Sequence, residues 1–382
     1  MQSKRVMESI VSQFDIPGRY VEHAAIRSGL INQTNLVTMQ TDDGQTQSYI
    51  FQRINTNVFR EPYHVMENII RVTEHIKKHM IETDGSYSRR VLSFATTKDG
   101  TPYYESEQDG FWRAYEFVDN STAYNLAPSA DHFFEAGRCF GEFQLYLTDY
   151  DATTLFETIP NFHHTVKRVE ALRQAIEENR ADRLKDVQHE VDFLLSRADE
   201  AGIIVDALES GEIPYRVTHN DTKINNVLFD NTTDKALCVI DLDTVMPGSS
   251  LYDFGDAIRS GACDTAEDEP NLSKVEMDLN KYRLFTKGFI KGTHSLLTHR
   301  EIELLPIGAK MMTYEVAVRF LTDYLNGDVY FHTEYSGQNL LRTRTQMKLV
   351  ADMESKMDEM KRIALEYADM YAKRFADMPS FG

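Results

Sequence analysis

The chain of 382 residues is 42% hydrophobic and 26% charged, a globular composition on a length that one core rarely covers, so two lobes are expected. Its formal charge of −19 excludes a nucleic-acid surface built from surplus lysine and arginine, and admits an anionic small substrate only where local charge opposes the global field. Cys139, Cys238 and Cys263 form no C-x-x-C, and there is neither an apolar leader nor a run of ~18 apolar residues, so a disulfide framework, a zinc knuckle and a membrane partner are not expected and a cytoplasmic location is.

Residues 20 to 118 read as strand-rich. "TNLVTMQTDDGQTQSYIFQRIN" makes two strands around the turn Asp42-Asp43-Gly44. A helix follows in "EPYHVMENIIRVTEHIKKHM", where Pro62 suits a first turn and Met66, Ile69, Ile70, Thr73 and Ile76 recur at helical spacing. "TPYYESEQDGFWRAYEFVDN" then reads as another hairpin. From about residue 127 the period becomes helical, in "SADHFFEAGRCFGEFQLYL", "IPNFHHTVKRVEALRQAIEENR", "LKDVQHEVDFLLSRADEAGIIVDALES" and "TQMKLVADMESKMDEMKRIALEYADMYAKRF". Only 214 to 243 interrupts it with a second strand-like patch. The acidic, apolar-poor "DTAEDEPNLSK" at 264 to 274 marks an exposed loop free to move. The order predicts an α+β molecule with a small sheet-plus-helix lobe over 1–118 and a larger, mainly helical lobe over 119–382.

The patch "VTHNDTKINNVLFDNTTDKALCVIDLD" concentrates charge. A hairpin folded at Asn231-Thr232-Thr233-Asp234 brings His219, Asp221, Lys223 and Asn226, before its first arm, beside Asp241 and Asp243, after its second. Carboxylates packed together repel unless a cation sits among them, and magnesium, which favours carboxylate, amide and water oxygens, suits Asn226 and Asp241. Asp243, two residues along an extended strand, falls on the same side as a supporting or second ligand. Asp221 remains free to orient a hydroxyl and accept its proton. The bland alternative is that His219 and Asp221 pin a tight turn.

The pattern H-x-D-x-x-x-x-N, with a strand-borne aspartate 20 residues after Asp221, resembles the catalytic and metal elements of the protein-kinase-like fold. On that resemblance Lys223 stands where protein kinases carry a catalytic-loop lysine, and Arg53, on a predicted strand, is the candidate phosphate clamp paired with Glu67 on the following helix, the alternative being an ordinary ion pair. The loop "RSGLINQTN" offers Gly29, Asn32 and Thr34 as a phosphate cover, or is a plain turn. Asp253 opens the D-F-G of "LYDFGDAIR", yet its place after the Met246-Pro247-Gly248 turn suits a helix-start aspartate bracing the catalytic loop.

"VTHNDTKINNVLFD" with "VIDLDTVMPGSSLYDFGDAIR", and "QRINTNVF", "WRAYEFVDN" and "AVRFLTDYLNGDVYF" in the same order, resemble the aminoglycoside-phosphotransferase-like kinases, and among them the N-acetylhexosamine 1-kinases. The resemblance implies a two-lobed, ATP- and Mg2+-dependent enzyme with a nucleotide-binding lobe over 1–118, a catalytic and substrate lobe over 119–382, and a sugar bearing an anomeric hydroxyl as partner. It makes Asp221 the base, Asn226 and Asp241 the metal ligands, and Arg319 and Tyr330 sugar contacts. Against the last two stand an ion pair of Arg319 with Asp323 or Glu315 and an interface role for Tyr330. A kinase of an aminoglycoside, choline, homoserine or another sugar, and a catalytically silent nucleotide-binding module, use the same loop. A protein kinase lacks its A-P-E here, and "HIKKH" lacks the glutamate of a zinc motif.

Overall fold

The computed structural model describes residues 3–26 and 31–376. A short helix, α1 (Lys4–Val11), is capped by the Ser3 hydroxyl, which accepts from the Val6 amide. It buries Met7, Ile10 and Val11 with Phe51, Trp112 and Ala114, on one face of an antiparallel sheet of β1 (Arg19–Ile26), β2 (Gln33–Gln40), β3 (Thr46–Arg53), β4 (Tyr104–Ser106) and β5 (Gly110–Glu116). The strand order is β1-β2-β3-β5-β4. The turn expected at Asp42-Asp43-Gly44 joins β2 to β3, with Gln40 opposite Thr46.

The long helix α2 (Pro62–Asp84) lies on the other face, the side of Phe111 and Arg113. Pro62 sits in its first turn, Gly85 ends it in the left-handed conformation, and Val65, Met66, Ile69, Val72, Thr73 and Ile76 are buried, the stripe that the sequence spacing requires. Asn68 ties it to the larger lobe, donating to the carbonyls of Phe156 and Val245 at 2.8 and 2.9 Å.

The chain leaves the first sheet after Glu116, and β6 (Ser121–Ala123) already pairs elsewhere. With β7 (Arg216–Thr218), β8 (Val227–Asp230), β9 (Ala236–Val239) and β10 (Met246–Gly248) it forms two small sheets, β6-β8-β9 and β10-β7. Around them pack α3 (Ala130–Leu145), α4 (Thr165–Glu178), α5 (Gln188–Leu195), α6 (Ile203–Glu209), α7 (Ser250–Gly261), α8 (Leu279–Thr293), α9 (His299–Asn326) and α10 (Gln338–Ala376). Helices α3 and α8 touch backbone to backbone, because a side chain at Gly141 would start 2.6 Å from the Phe289 carbonyl oxygen.

Two expectations change. The stretch 184–210 is not one helix: a 3-10 turn at Ala198–Glu200 separates α5 from α6. Gly202 weakens the helix there, and Arg197 is held by Glu354 of α10 at 2.8 Å. Nor is the acidic loop at 264–274 loose, since Glu267 pairs with Arg259 at 2.9 Å and Asp268 accepts from Tyr335 and Gln338 at 2.7 and 2.8 Å. Among the described residues no helix is long and apolar enough to cross a membrane.

Candidate active site

The loop between β7 and β8 carries the cluster. Val227 pairs with Val239, so the start of β8 and the end of β9 lie together, and the Ile240 amide donates to the Asn226 carbonyl at 2.9 Å. His219 is fully buried. Its Nε2 donates to the Ile240 carbonyl at 2.8 Å, which leaves Nδ1 to accept from the Asp221 amide at 3.2 Å. One imidazole thereby joins the loop to the strand that ends in Asp241.

Asp253 braces the loop from the first turn of α7. Its buried carboxylate accepts from the amides of His219 and Asn220 at 3.0 and 2.7 Å and from Gln144 at 2.7 Å. Burial pushes its pKa up, while His219 and the amides pull the other way. Asp256, one turn on, also accepts from the loop, at the Thr222 amide (3.1 Å), and holds Arg259. Nothing in the spacing of the sequence assigned Asp256 that task. Asn220 takes a φ of 64° and Asp241 one of 60°, the left-handed region that Asn and Asp tolerate best.

Asp221 is half-buried, with Lys223 Nζ 2.8 Å from its Oδ1. Burial alone would raise its pKa; the Lys223 charge and hydrogen bond hold it below the ordinary value. Asn226 turns its amide nitrogen toward the Asp221 carbonyl and carboxylate, at 2.8 and 3.1 Å. Its amide oxygen therefore faces away from Asp221. Asp241 is exposed; desolvation by the protein packed around it, then the Asp243 and Asp221 charges, pushes its pKa up to about 6. Among the described residues its carboxylate has no ion-pair partner.

Asp243 is placed differently from expectation. The chain does not continue extended after Asp241 but enters a 3-10 turn at Leu242–Thr244, and Asp243 points into the protein. There it forms an ion pair with Arg113 of β5, 2% exposed, and accepts from Asn32 at 2.5 Å. Arg113 is also held by Gln52 at 2.7 Å.

The expected pair of Arg53 with Glu67 is not formed. Arg53 lies opposite Trp112 in the sheet, and cross-strand partners share a face, so it belongs to the α1 side; Gln52, opposite Arg113, takes the cleft side. Glu67, on α2, pairs with Arg71 at 3.4 Å. The buried cation on the cleft side is Arg113, which the sequence reading left out; in "FWRAYE" it alternates with Phe111 and Tyr115, on a face turned inward. Gly29 lies outside the described residues. Asn32 also accepts from the Asn55 amide at 3.0 Å, and the Thr34 hydroxyl accepts from Gln52 at 3.1 Å.

Arg319 and Tyr330 share one wall. The guanidinium lies 5.4 Å from the ring centre of Phe162, 5.8 Å from Tyr330 and 5.4 Å from Phe331. Neither acid suggested as its partner takes it. Glu315 holds His163 and Thr165 at 2.9 and 2.8 Å, and Asp323 accepts from the amides of Val329, Tyr330 and Phe331. Tyr330 itself is 65% exposed. The wall reaches the catalytic loop through His163, whose Nε2 donates to the Asn220 carbonyl at 3.1 Å. Arg168 adds a second guanidinium; burial and Arg319 lower its pKa, and among the described residues its buried Nε has no hydrogen-bond partner.

A small antiparallel sheet with one long helix, set on a helical lobe that presents a braced H-x-D loop, defines the kinase-like fold. The profile described as the phosphotransferase enzyme family matches residues 22–287, and the chain belongs to that family. Solved structures of similar fold include an aminoglycoside phosphotransferase from Alicyclobacillus acidocaldarius (14% identity, TM-score 0.59, covering 95% of this chain and 98% of that one). Amicoumacin kinase in complex with AMP-PNP, Ca2+ and Ami matches at 13% identity and TM-score 0.60, over 91% and 93%. A choline kinase from Cryptosporidium parvum matches at 13% and 0.58, over 96% and 99%.

Proposed function

We propose that the protein is an ATP- and Mg2+-dependent kinase that phosphorylates the anomeric hydroxyl of an N-acetylhexosamine. One observation carries the acceptor class: the wall joined to the catalytic loop is made of two guanidiniums and three aromatic rings, with its carboxylates Glu315 and Asp323 already bonded. An aminoglycoside or choline cation meets repulsion there. A neutral sugar finds aromatic faces for its ring and guanidinium donors for its hydroxyl and acetamido oxygens.

Donor chemistry supports magnesium. The site offers the Asp241 carboxylate, without an ion-pair partner among the described residues, and the outward amide oxygen of Asn226, all hard oxygen. Among the described residues no three His, Cys, Asp or Glu side chains group as a metal site. That suits an ion which completes its shell with water and nucleotide phosphates. Asp243, committed to Arg113, is left out of this set. Magnesium, when bound, supplies neutralisation of the charge on the transferring phosphoryl group.

The chain does the rest by position. Asp221 orients the acceptor hydroxyl and takes its proton; with its pKa held down by Lys223 it is a weak base, suited to a transfer that occurs late. Lys223 balances that carboxylate and stands beside the path of the phosphoryl group. The lobe over 1–118 takes the nucleotide and that over 119–382 the acceptor.

A panel of ATP-consumption assays tests the reading. Turnover is expected with N-acetylglucosamine or N-acetylgalactosamine and not with choline, homoserine or kanamycin. Turnover confined to a cationic acceptor would overturn it.

A further inference from the structure

Beside the loop that carries Lys223 lies a cavity of about 220 Å³, partly open to solvent. Lys223 and Asn225 form its wall on the loop side, Arg259 of α7 and Glu267 of the acidic loop another, and Gln346 and Leu349 of α10 its floor. Asp221, Asn226, Asp241, Arg319 and Tyr330 do not line it. It is therefore distinct from the aromatic wall, and it adjoins the base through Lys223.

Two of its lining groups lack what buried polar groups normally have. Among the described residues the side-chain oxygens of Asn225 and Gln346 are buried with no hydrogen-bond partner, and Gln346 is only 2% exposed. An orphaned oxygen in a polar cavity calls for an N–H or O–H donor. The cations here are already matched: Lys223 by Asp221 at 2.8 Å, Arg259 by Asp256 and Glu267, both at 2.9 Å. No surplus positive charge invites a phosphate or carboxylate. Amide oxygens, hydroxyls and the apolar Leu349 side suit a neutral, hydroxyl-rich molecule.

We propose that this cavity is a second binding site, separate from the acceptor wall, for a neutral polyhydroxylated molecule the size of one monosaccharide. Its hydroxyls donate to Asn225 and Gln346 and accept from Lys223 Nζ. Binding draws that cation away from Asp221, so occupancy changes turnover rather than acceptor affinity. The acidic loop, pinned over the site by Glu267 and Asp268, closes its outer edge.

The placement rests on the cavity alone; the separation from the acceptor rests on the kinase reading above. The test is calorimetric titration of the full chain with myo-inositol, glucose and N-acetylglucosamine, in wild type, Gln346→Leu and Arg319→Ala. Leucine replaces a side chain whose amide oxygen is unpaired by an apolar group of similar size, so the fold and basal turnover are retained. At least one probe is expected to bind wild type, weaken by about tenfold in Gln346→Leu, and keep its affinity in Arg319→Ala. If neutral sugars are not phosphorylated but this pattern appears, the acceptor reading falls and the cavity site stands. Binding of no probe, binding insensitive to Gln346→Leu, or a single event lost in both variants would overturn the proposal, whatever the acceptor assays show.

Discussion

Asp241 carries an electrostatic cost in the folded chain. Its pKa rises from an ordinary 3.8 to about 6 on folding, so the folded chain holds that proton more tightly than the unfolded one. This group favours folding below about pH 4 and loses the contribution as pH climbs through about 6. Asp241→Asn should therefore raise the Tm of the metal-free protein at about pH 7.5 and leave it unchanged at about pH 4. Mg2+ should raise the wild-type Tm at the higher pH, not at about pH 5, where protons compete for the carboxylate, and not in the variant. Equal destabilisation of Asp241→Asn at both pH values would contradict the account. Lys223 gives a complementary check. It holds the Asp221 pKa down, so Lys223→Ala should move the acidic limb of the kcat/KM profile to higher pH; an unmoved limb removes Lys223 from the base.

At this scale the sequence was informative where chemistry repeats at fixed spacing. Asp221, Asn226, Asp241 and Asp253 stand on a short loop, a strand end and a helix start whose separations leave little freedom. Arg113 was not legible in that way, because its partner Asp243 is 130 residues on and only the docking of two lobes brings them together. Arg53 was misassigned by one position of strand parity, enough to turn it to the opposite face.

Among the elements, the contact between β5 and the turn after β9 matters most. Arg113 and Asp243 are both buried, and removing one partner strands the other charge at a cost of about 3–5 kcal/mol. Arg113→Met alone should lower the free energy of urea unfolding by that amount, while Arg113→Met with Asp243→Leu recovers most of it. A double variant no better than the single one would mean that the pair does not hold the lobes together. The helices that the sequence displayed best were those with a clean apolar stripe, as in α2. The break between α5 and α6 was hidden, since both halves carry helical periodicity and only packing against α10 decides where the chain turns.

For the whole molecule, the change of period near residue 127 was enough to divide the chain into a sheet lobe and a helical lobe. What it did not convey was how they meet: Asn68, Asn32 and Arg113 all reach from the first lobe to the segment around Asp243 and Val245. That convergence holds the cleft over Asp221 and Asp241, where a nucleotide and an acceptor would have to align. On the proposed reading, the wall of Arg319, Arg168 and the three aromatic rings selects the acceptor from the other side. Phosphorus-31 NMR of the product made from ATP and N-acetylglucosamine tests this account most directly. It predicts a phosphate on the anomeric carbon, coupled to the anomeric proton, and no such product from Asp221→Asn. A phosphate on another hydroxyl, or turnover that survives loss of Asp221, would contradict it.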